Sequence, residues 1–208
     1  MKIISAEQID MSKYGHLTSC KVFCIHVQID DISNSANEIM NGISDTSWIS
    51  ELDAVSKKSF TAMATPTIQK IVNEILSKVT NSVSNDFGEY LVSYTAQMAL
   101  VSEYNHKKMP LAELIKEKII GNPGFDFHTE STDSNIIFGE AKYSSEGTPR
   151  GRAISQISRF IILEKDAMEL NALAPLISSE AKENFLENKK GFTAAFSFNS
   201  VDPQLIFN

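Results

Sequence analysis

The apolar positions change period several times along the chain, and each change marks an element. Residues 1–19 are polar and irregular. The run from about Lys21 to Ile29 is rich in β-formers and reads as a buried or half-buried strand. Asp30 to Asn37 carries a cluster of turn formers and reads as a loop. Ser47 to Lys58 is ambiguous, with a short helix around Ser50–Val55 the best reading. From Thr65-Pro66 the period becomes helical. Pro66 suits a first helical position, and Ile68, Ile71, Val72, Ile75, Leu76 and Val79 recur at three- and four-residue steps. A second helix is predicted after a cap at Asn85 or Asp86, with Phe87, Tyr90, Leu91, Tyr94, Met98 and Val101 along it. A third covers roughly Pro110 to Ile119 and stops at Gly121-Asn122-Pro123-Gly124.

Two extended segments come next, Phe125–Thr129 and Asn135–Tyr143. The turn at Ser145–Pro149 leads into a helix from about Arg150 to Leu170, a further helix near Ser178–Asn188, and a last strand, Phe192–Phe198. Helices, strands, helix and strand in this order predict an α/β domain with a central mixed sheet flanked by helices. No internal repeat or low-complexity tract is present. The 208 residues are expected to form one domain, with 86–165 as its catalytic core and 1–64 as an N-terminal portion of less certain role.

Composition changes this picture little, but charge sharpens it. With 42% hydrophobic and 22% charged residues the chain is an ordinary globular sequence. No apolar run approaches the ~20 residues of a membrane span, and the N-terminus is polar within a few residues. The expectation is a cytoplasmic protein with no membrane partner. A net charge of −7 argues against a strong nonspecific nucleic-acid binder, since phosphate contacts need clustered Lys and Arg. Any such surface must be local. The stretch from Gly139 to Lys165 inverts the balance, with Lys142, Arg150, Arg152, Arg159 and Lys165 against Glu140, Glu146 and Glu164.

The two cysteines, Cys20 and Cys24, have His16 and His26 nearby, residue types that suit zinc. In a strand, however, positions four apart are separated by ~13 Å, too far for one metal or for a disulfide. Free core thiols are the expectation.

The candidate chemistry lies in Gly124-Phe125-Asp126-Phe127-His128, followed fourteen residues after the aspartate by Glu140-Ala141-Lys142. Alternation places Phe138, Glu140 and Lys142 on one strand face. Charges in so apolar a strand need partners, because desolvation costs several kcal/mol per ion. A divalent cation would be such a partner. The seven residues Glu130–Ile136 can form the turn of a hairpin that sets Asp126 beside Glu140. Two carboxylates and the Ala141 carbonyl are the hard oxygen donors that Mg²⁺ takes, with Mn²⁺ able to replace it. Lys142 is then placed to orient or deprotonate an attacking water and to stabilise charge on a phosphate.

This pattern resembles the PD-(D/E)xK nuclease superfamily, and the resemblance implies a restriction-endonuclease-like core. Asp126 matches the first acidic position, with Phe125 where many members carry proline; Glu140-Ala141-Lys142 matches the Glu-x-Lys. The resemblance carries over Glu89 as a further metal-facing glutamate from an upstream helix. It also carries over Arg150, Arg152 and Gln156 as phosphate contacts on the following helix, where Arg152 and Gln156 share a face. Across about residues 86–160 the phrases Gly-Phe-Asp-Phe-His, Ile-Ile-Phe-Gly-Glu-Ala-Lys-Tyr and Gly-Arg-Ala-Ile-Ser-Gln-Ile are similar to the nuclease subunit of Hachiman-type anti-phage defence systems. That likeness implies cleavage of DNA together with a separately encoded helicase.

Other residues weigh less. His128 shares the face of Asp126 and reads equally well as a structural histidine. Glu130 suits a turn role. Lys57-Lys58 and Lys107-Lys108 read as solvated loops. Ile154, Ile157, Phe160, Ile161 and Leu163 form a core or interface face. Three readings compete: the defence nuclease, a stand-alone type II restriction endonuclease working as a homodimer, and a catalytically inactive subunit that binds DNA or a partner. A Glu–Lys pair on a surface hairpin, worth little in energy, is the plain alternative to them all.

Overall fold

The computed structural model describes residues 1–13, 20–79, 83–116 and 123–198. The N-terminal part opens with an antiparallel pair, β1 (Lys2–Ile9) and β2 (Val22–Gln28). The first segment, expected to be irregular, is therefore a strand. It has no clean alternation because the two-stranded sheet is exposed at most β1 positions, so little burial selects apolar residues there.

The turn-rich stretch after β2 is likewise not a loop but the start of helix α1 (Ile32–Ser44). Asp31 is its cap, accepting the Asn34 N–H at 2.8 Å, which is the same chemistry that makes Asp a turn former. Ala36, Ile39 and Ile43 then give α1 a buried stripe. A single turn, α2 (Ser47–Ser50), precedes α3 (Ala54–Lys70), capped by Asp53 through the N–H groups of Val55 and Ser56. Pro66 is inside α3 rather than at its start. The helix begins twelve residues earlier because Asp53 supplies the cap and the Phe60 and Ala64 side chains are buried. It passes into a π-turn at Ile71–Ile75 and a 3₁₀ turn at Leu76–Lys78.

The rest is built on a four-stranded mixed sheet. Helix α4 (Asn85–Tyr104), capped by Ser84, leads to β3 (Lys107–Lys108), the single turn α5 (Ala112–Ile115), and the hairpin β4 (Phe127–Glu130) and β5 (Ile136–Lys142). Residues 117–119 of the predicted third helix, with Gly121 and Asn122, lie outside the described residues. The predicted long helix is two, α6 (Arg150–Ile162) and α7 (Lys165–Leu173), parted at Glu164, whose φ of 51° breaks the helical path. Helix α8 (Ser179–Leu186) and strand β6 (Lys190–Phe196) complete the described chain apart from two residues.

The sheet order is β3-β4-β5-β6, with β3–β4 and β4–β5 antiparallel and β5–β6 parallel. Lys107 and Lys108 thus form an edge strand rather than a loop. The parallel pair requires a crossover, and α6, α7 and α8 provide it. Helix α4 packs on β4 and β5, and α6 packs on β5 and β6. Tyr143, just past β5, lies against Gly88 of α4. Phe138 of β5 meets Phe125, Phe185 and Phe192, and Phe125 meets Phe160 of α6. Strand β5 is thus covered on both faces, which explains its unbroken apolar run from Ile136 to Phe138. Among the described residues no helix is long and apolar enough to cross a membrane.

Gly139 is a close-packing position: a Cβ there would sit 2.2 Å from the Phe127 ring. That ring is fully buried and cannot swing aside. Gly139→Ala is expected to destabilise the fold by ~1–3 kcal/mol through overpacking. A urea melt with an unchanged midpoint would contradict this packing.

Candidate active site

The hairpin register pairs Phe127 with Gly139, and one further step sets Asp126 opposite Glu140. The connecting turn closes through Ser131 and Asn135, with Ser134 in the left-handed region. Asp126 is held from several sides. Its N–H donates to the Gly139 carbonyl at 2.8 Å, and its own carbonyl accepts from Ala112 N–H at 3.1 Å. Its Oδ2 accepts from Ala141 N–H at 2.7 Å. The segment that begins β4 thus turns its carboxylate toward β5.

Glu140 is fully buried, whereas the Lys142 side chain keeps 17% of its surface exposed. Lys142 Nζ donates to Glu140 Oε1 at 2.5 Å, and among the described residues Glu140 Oε2 has no hydrogen-bond partner. An acceptor oxygen left bare in the interior is costly. Burial pushes the Glu140 carboxyl up to about 8, aided by the Asp126 charge and opposed by Lys142. Burial also raises Asp126, to about 6, against the Ala141 N–H and Lys142. Lys142 is raised despite its own desolvation, because Glu140 and Asp126 favour its cationic form. Asp126 is half-buried and Glu140 fully buried; two like charges so close and so poorly solvated resist ionising together.

Glu89 is exposed in the first turns of α4, near enough for its charge to act on Asp126, Glu140 and Lys142. It does not close with them into a cluster: among the described residues no three His, Cys, Asp or Glu side chains are grouped to hold a metal. The oxygen donors are thus two carboxylates and the Ala141 carbonyl. This small set, with one bare oxygen, fits Mg²⁺, which keeps several waters and binds through one or two carboxylates. Arg150 and Arg152 are exposed at the start of α6, and Gln156 is half-buried one turn on. Among the described residues no hydrogen bond or ion pair joins Arg152 or Gln156 to the carboxylates.

The neighbouring residues take structural roles. His128 is fully buried, its Nε2 bonded to Glu169 Oε2 of α7 at 2.7 Å. Burial pulls the ring below its ordinary value against the pull of Glu169; the proton then sits on Nε2, and among the described residues Nδ1 has no hydrogen-bond partner. Glu130 accepts the Ser178 N–H at 3.1 Å, next to the start of α8. Lys107 Nζ donates to the Leu176 carbonyl at 2.8 Å, and Lys108 lies over the Tyr94 ring. Cys20, just before β2, is exposed and Cys24 is half-buried; both thiols are free, but neither is a core residue, since β2 belongs to the thin N-terminal sheet. His16 lies outside the described residues. On α6 Ala153, Ile157 and Phe160 are buried, while Ile154 and Ile161, and Leu163 just beyond, are exposed.

Sequence reasoning missed Glu169 and Lys116. Glu169 Oε1 accepts from Phe125 N–H at 2.9 Å and from Lys116 Nζ at 2.5 Å, so α7 grips the segment that carries Asp126. Burial pushes Glu169 up, but His128 and Lys116 together outweigh it and hold the carboxyl below its ordinary range. The partners are more than forty residues apart, and no spacing rule connects them. Two clefts of about 450 and 190 Å³ lie along α1 and α4, and the second reaches α5; neither is lined by the carboxylates. Comparison with protein-family models, curated proteins and solved structures finds no match for this chain.

Proposed function

We propose that this chain is a Mg²⁺-dependent deoxyribonuclease of the PD-(D/E)xK type, hydrolysing phosphodiester bonds within an anti-phage defence complex that includes a helicase. The observation that carries the reading is the buried Glu140, paired with Lys142 on one oxygen and bare on the other. A hairpin used only for structure gains nothing from setting a fully buried carboxylate beside a half-buried one. The order of helix, antiparallel hairpin, crossover helices and parallel strand also agrees with a restriction-endonuclease-like core. The same pair argues against an inactive binding subunit, in which neither carboxylate would be needed.

Asp126, Glu140 and the Ala141 carbonyl are the residues that would hold the cation. Bound there, Mg²⁺ supplies Lewis-acid activation of the phosphodiester and of the attacking water. The chain's own contribution is orientation and charge. Ala141 N–H fixes the Asp126 carboxylate, Glu140 keeps Lys142 protonated, and the ammonium presents its remaining N–H donors to a phosphate oxygen. The exposed Arg150 and Arg152 on α6 suit backbone phosphates, in a locally basic stretch of an acidic chain. The net charge of −7 makes weak binding of free DNA the expectation, and a DNA-holding partner follows from it.

The test is cleavage of supercoiled and linear duplex DNA by the purified chain with Mg²⁺ or Mn²⁺ against EDTA, alone and with a superfamily-2 helicase should its gene neighbourhood encode one. Metal-dependent nicking or degradation is expected, and stronger with the partner. Discrete fragments from one recognition sequence would favour a restriction enzyme instead. No cleavage under any of these conditions would remove the proposal.

A further inference from the structure

We infer that Glu169 of α7 is a positioning residue for Asp126, acting through the backbone of Phe125 and the ring of His128; the inference rests on the nuclease reading of Asp126.

Asp126 precedes β4 by one residue, so its segment lacks the full ladder that fixes β5 on both sides. Its place is set by contacts around it. On one side stand the bonds to Gly139, Ala141 and Ala112. On the other, a single buried carboxylate gathers three donors. Glu169 Oε1 takes the Phe125 N–H and Lys116 Nζ, and Oε2 takes His128 Nε2. Lys116 Nζ also donates to the Phe125 carbonyl at 2.6 Å. The peptide unit between Phe125 and Asp126 is thereby held at both ends, its carbonyl by Lys116 and its N–H by Gly139. The residue before Asp126 and the one two after it are tied to the same carboxylate, which leaves the intervening backbone little room to tilt.

Gly124 carries the same message independently. A Cβ at that position would lie 1.9 Å from Glu169 Oε1 and 2.6 Å from Lys116 Nζ. The glycine is what lets the carboxylate reach the Phe125 N–H. Its φ is not in the left-handed region, so the requirement is for space rather than for backbone freedom. A residue that orients a ligand-bearing segment without touching the ligand typically changes metal affinity 10–100-fold when lost.

The test compares Mn²⁺ affinity by titration calorimetry, and hydrogen exchange at the Phe125 amide, in the wild-type chain, Glu169→Gln, Gly124→Ala and Asp166→Asn. Asp166 is buried on the same helix and bonds Lys190 of β6, so its loss loosens α7 without touching the Phe125–His128 segment. Glu169→Gln and Gly124→Ala are each expected to weaken Mn²⁺ binding about 10–100-fold and to speed exchange at Phe125. Asp166→Asn should stay within about twofold of wild type. Unchanged affinity in a folded Glu169→Gln or Gly124→Ala variant overturns the inference. So does an equal loss in Asp166→Asn, which would show that docking of α7 alone matters. If the wild-type chain binds no Mn²⁺ and cleaves nothing, the nuclease reading itself fails, and that is visible before any variant is compared.

Discussion

Glu140→Gln and Lys142→Ala are each expected to lower Mg²⁺-dependent DNA cleavage by ~10³-fold or more, with the chain still folded. The size follows from what each side chain contributes to the proposed chemistry. Glutamine keeps the volume of Glu140, which has no exposed surface to readjust, but it removes the charge that would hold a hard cation. It also removes the anion that keeps Lys142 protonated. Lys142→Ala leaves the carboxylates in place and deletes the cation hydrogen-bonded to Glu140, with it the stabilisation of charge on the phosphate; losses of 10²–10³ are typical for a single such donor. Circular dichroism should be native for both. Plasmid nicking followed over time checks the rate. Retention of wild-type rates by both variants would show that catalysis, if present, resides elsewhere.

The second large effect is on stability against pH in the absence of metal. The carboxyl of Glu140 is pushed up to about 8 and that of Asp126 to about 6, above the ordinary unfolded values near 4. Between those limits the folded chain binds more protons than the unfolded chain, so its stability falls as pH rises. The contribution is whole below about pH 4 and is lost progressively as pH climbs through 6 and 8. Glu140 alone contributes on the order of 5 kcal/mol, and Asp126 adds to it in the same direction. Glu169 works in the opposite sense and lower down: its depressed value gives stability above the unfolded pKa that is lost in acid. In EDTA, the unfolding midpoint should therefore decline steadily from pH 5.5 to 8.5, and Glu140→Gln should flatten most of that slope. Mg²⁺ competes with the proton for the same oxygens, so its stabilising effect should grow over the same range, with proton release on binding. A midpoint that stays level or rises across this window in EDTA would show that the carboxylates are ionised without a cation.

How much of this was legible beforehand depends on how local the deciding interactions are. The hairpin was readable because its two strands, its turn and its alternation lie within twenty residues, and the register does place Asp126 opposite Glu140. The apolar rows of α4 were readable for the same reason, whereas its cap is Ser84 rather than Asn85 or Asp86, because three adjacent residues all have capping side chains and only the backbone path selects among them. Helix α1 was hidden because Asp31, Ser33 and Asn34 serve caps and turns alike, and only burial of Ala36, Ile39 and Ile43 decides between them. The break at Glu164 gave no warning either. A glutamate in the left-handed region is set by the way α6 and α7 pack around the sheet edge, not by its own preference.

The sequence by itself determined the chemical inventory: Asp126, Glu140 and Lys142, the strand that presents the last two on one face, and the turn able to bring the first beside them. Those follow from a period of two and a loop of fitting length. Only the tertiary structure decided the environment. It put Glu140 wholly out of water with a bare oxygen, left Glu89 outside any three-residue cluster, and set Glu169 and Lys116 behind Asp126. The physical reason is that burial and long-range pairing depend on what covers a strand, and the residues covering β4 and β5 come from helices far along the chain.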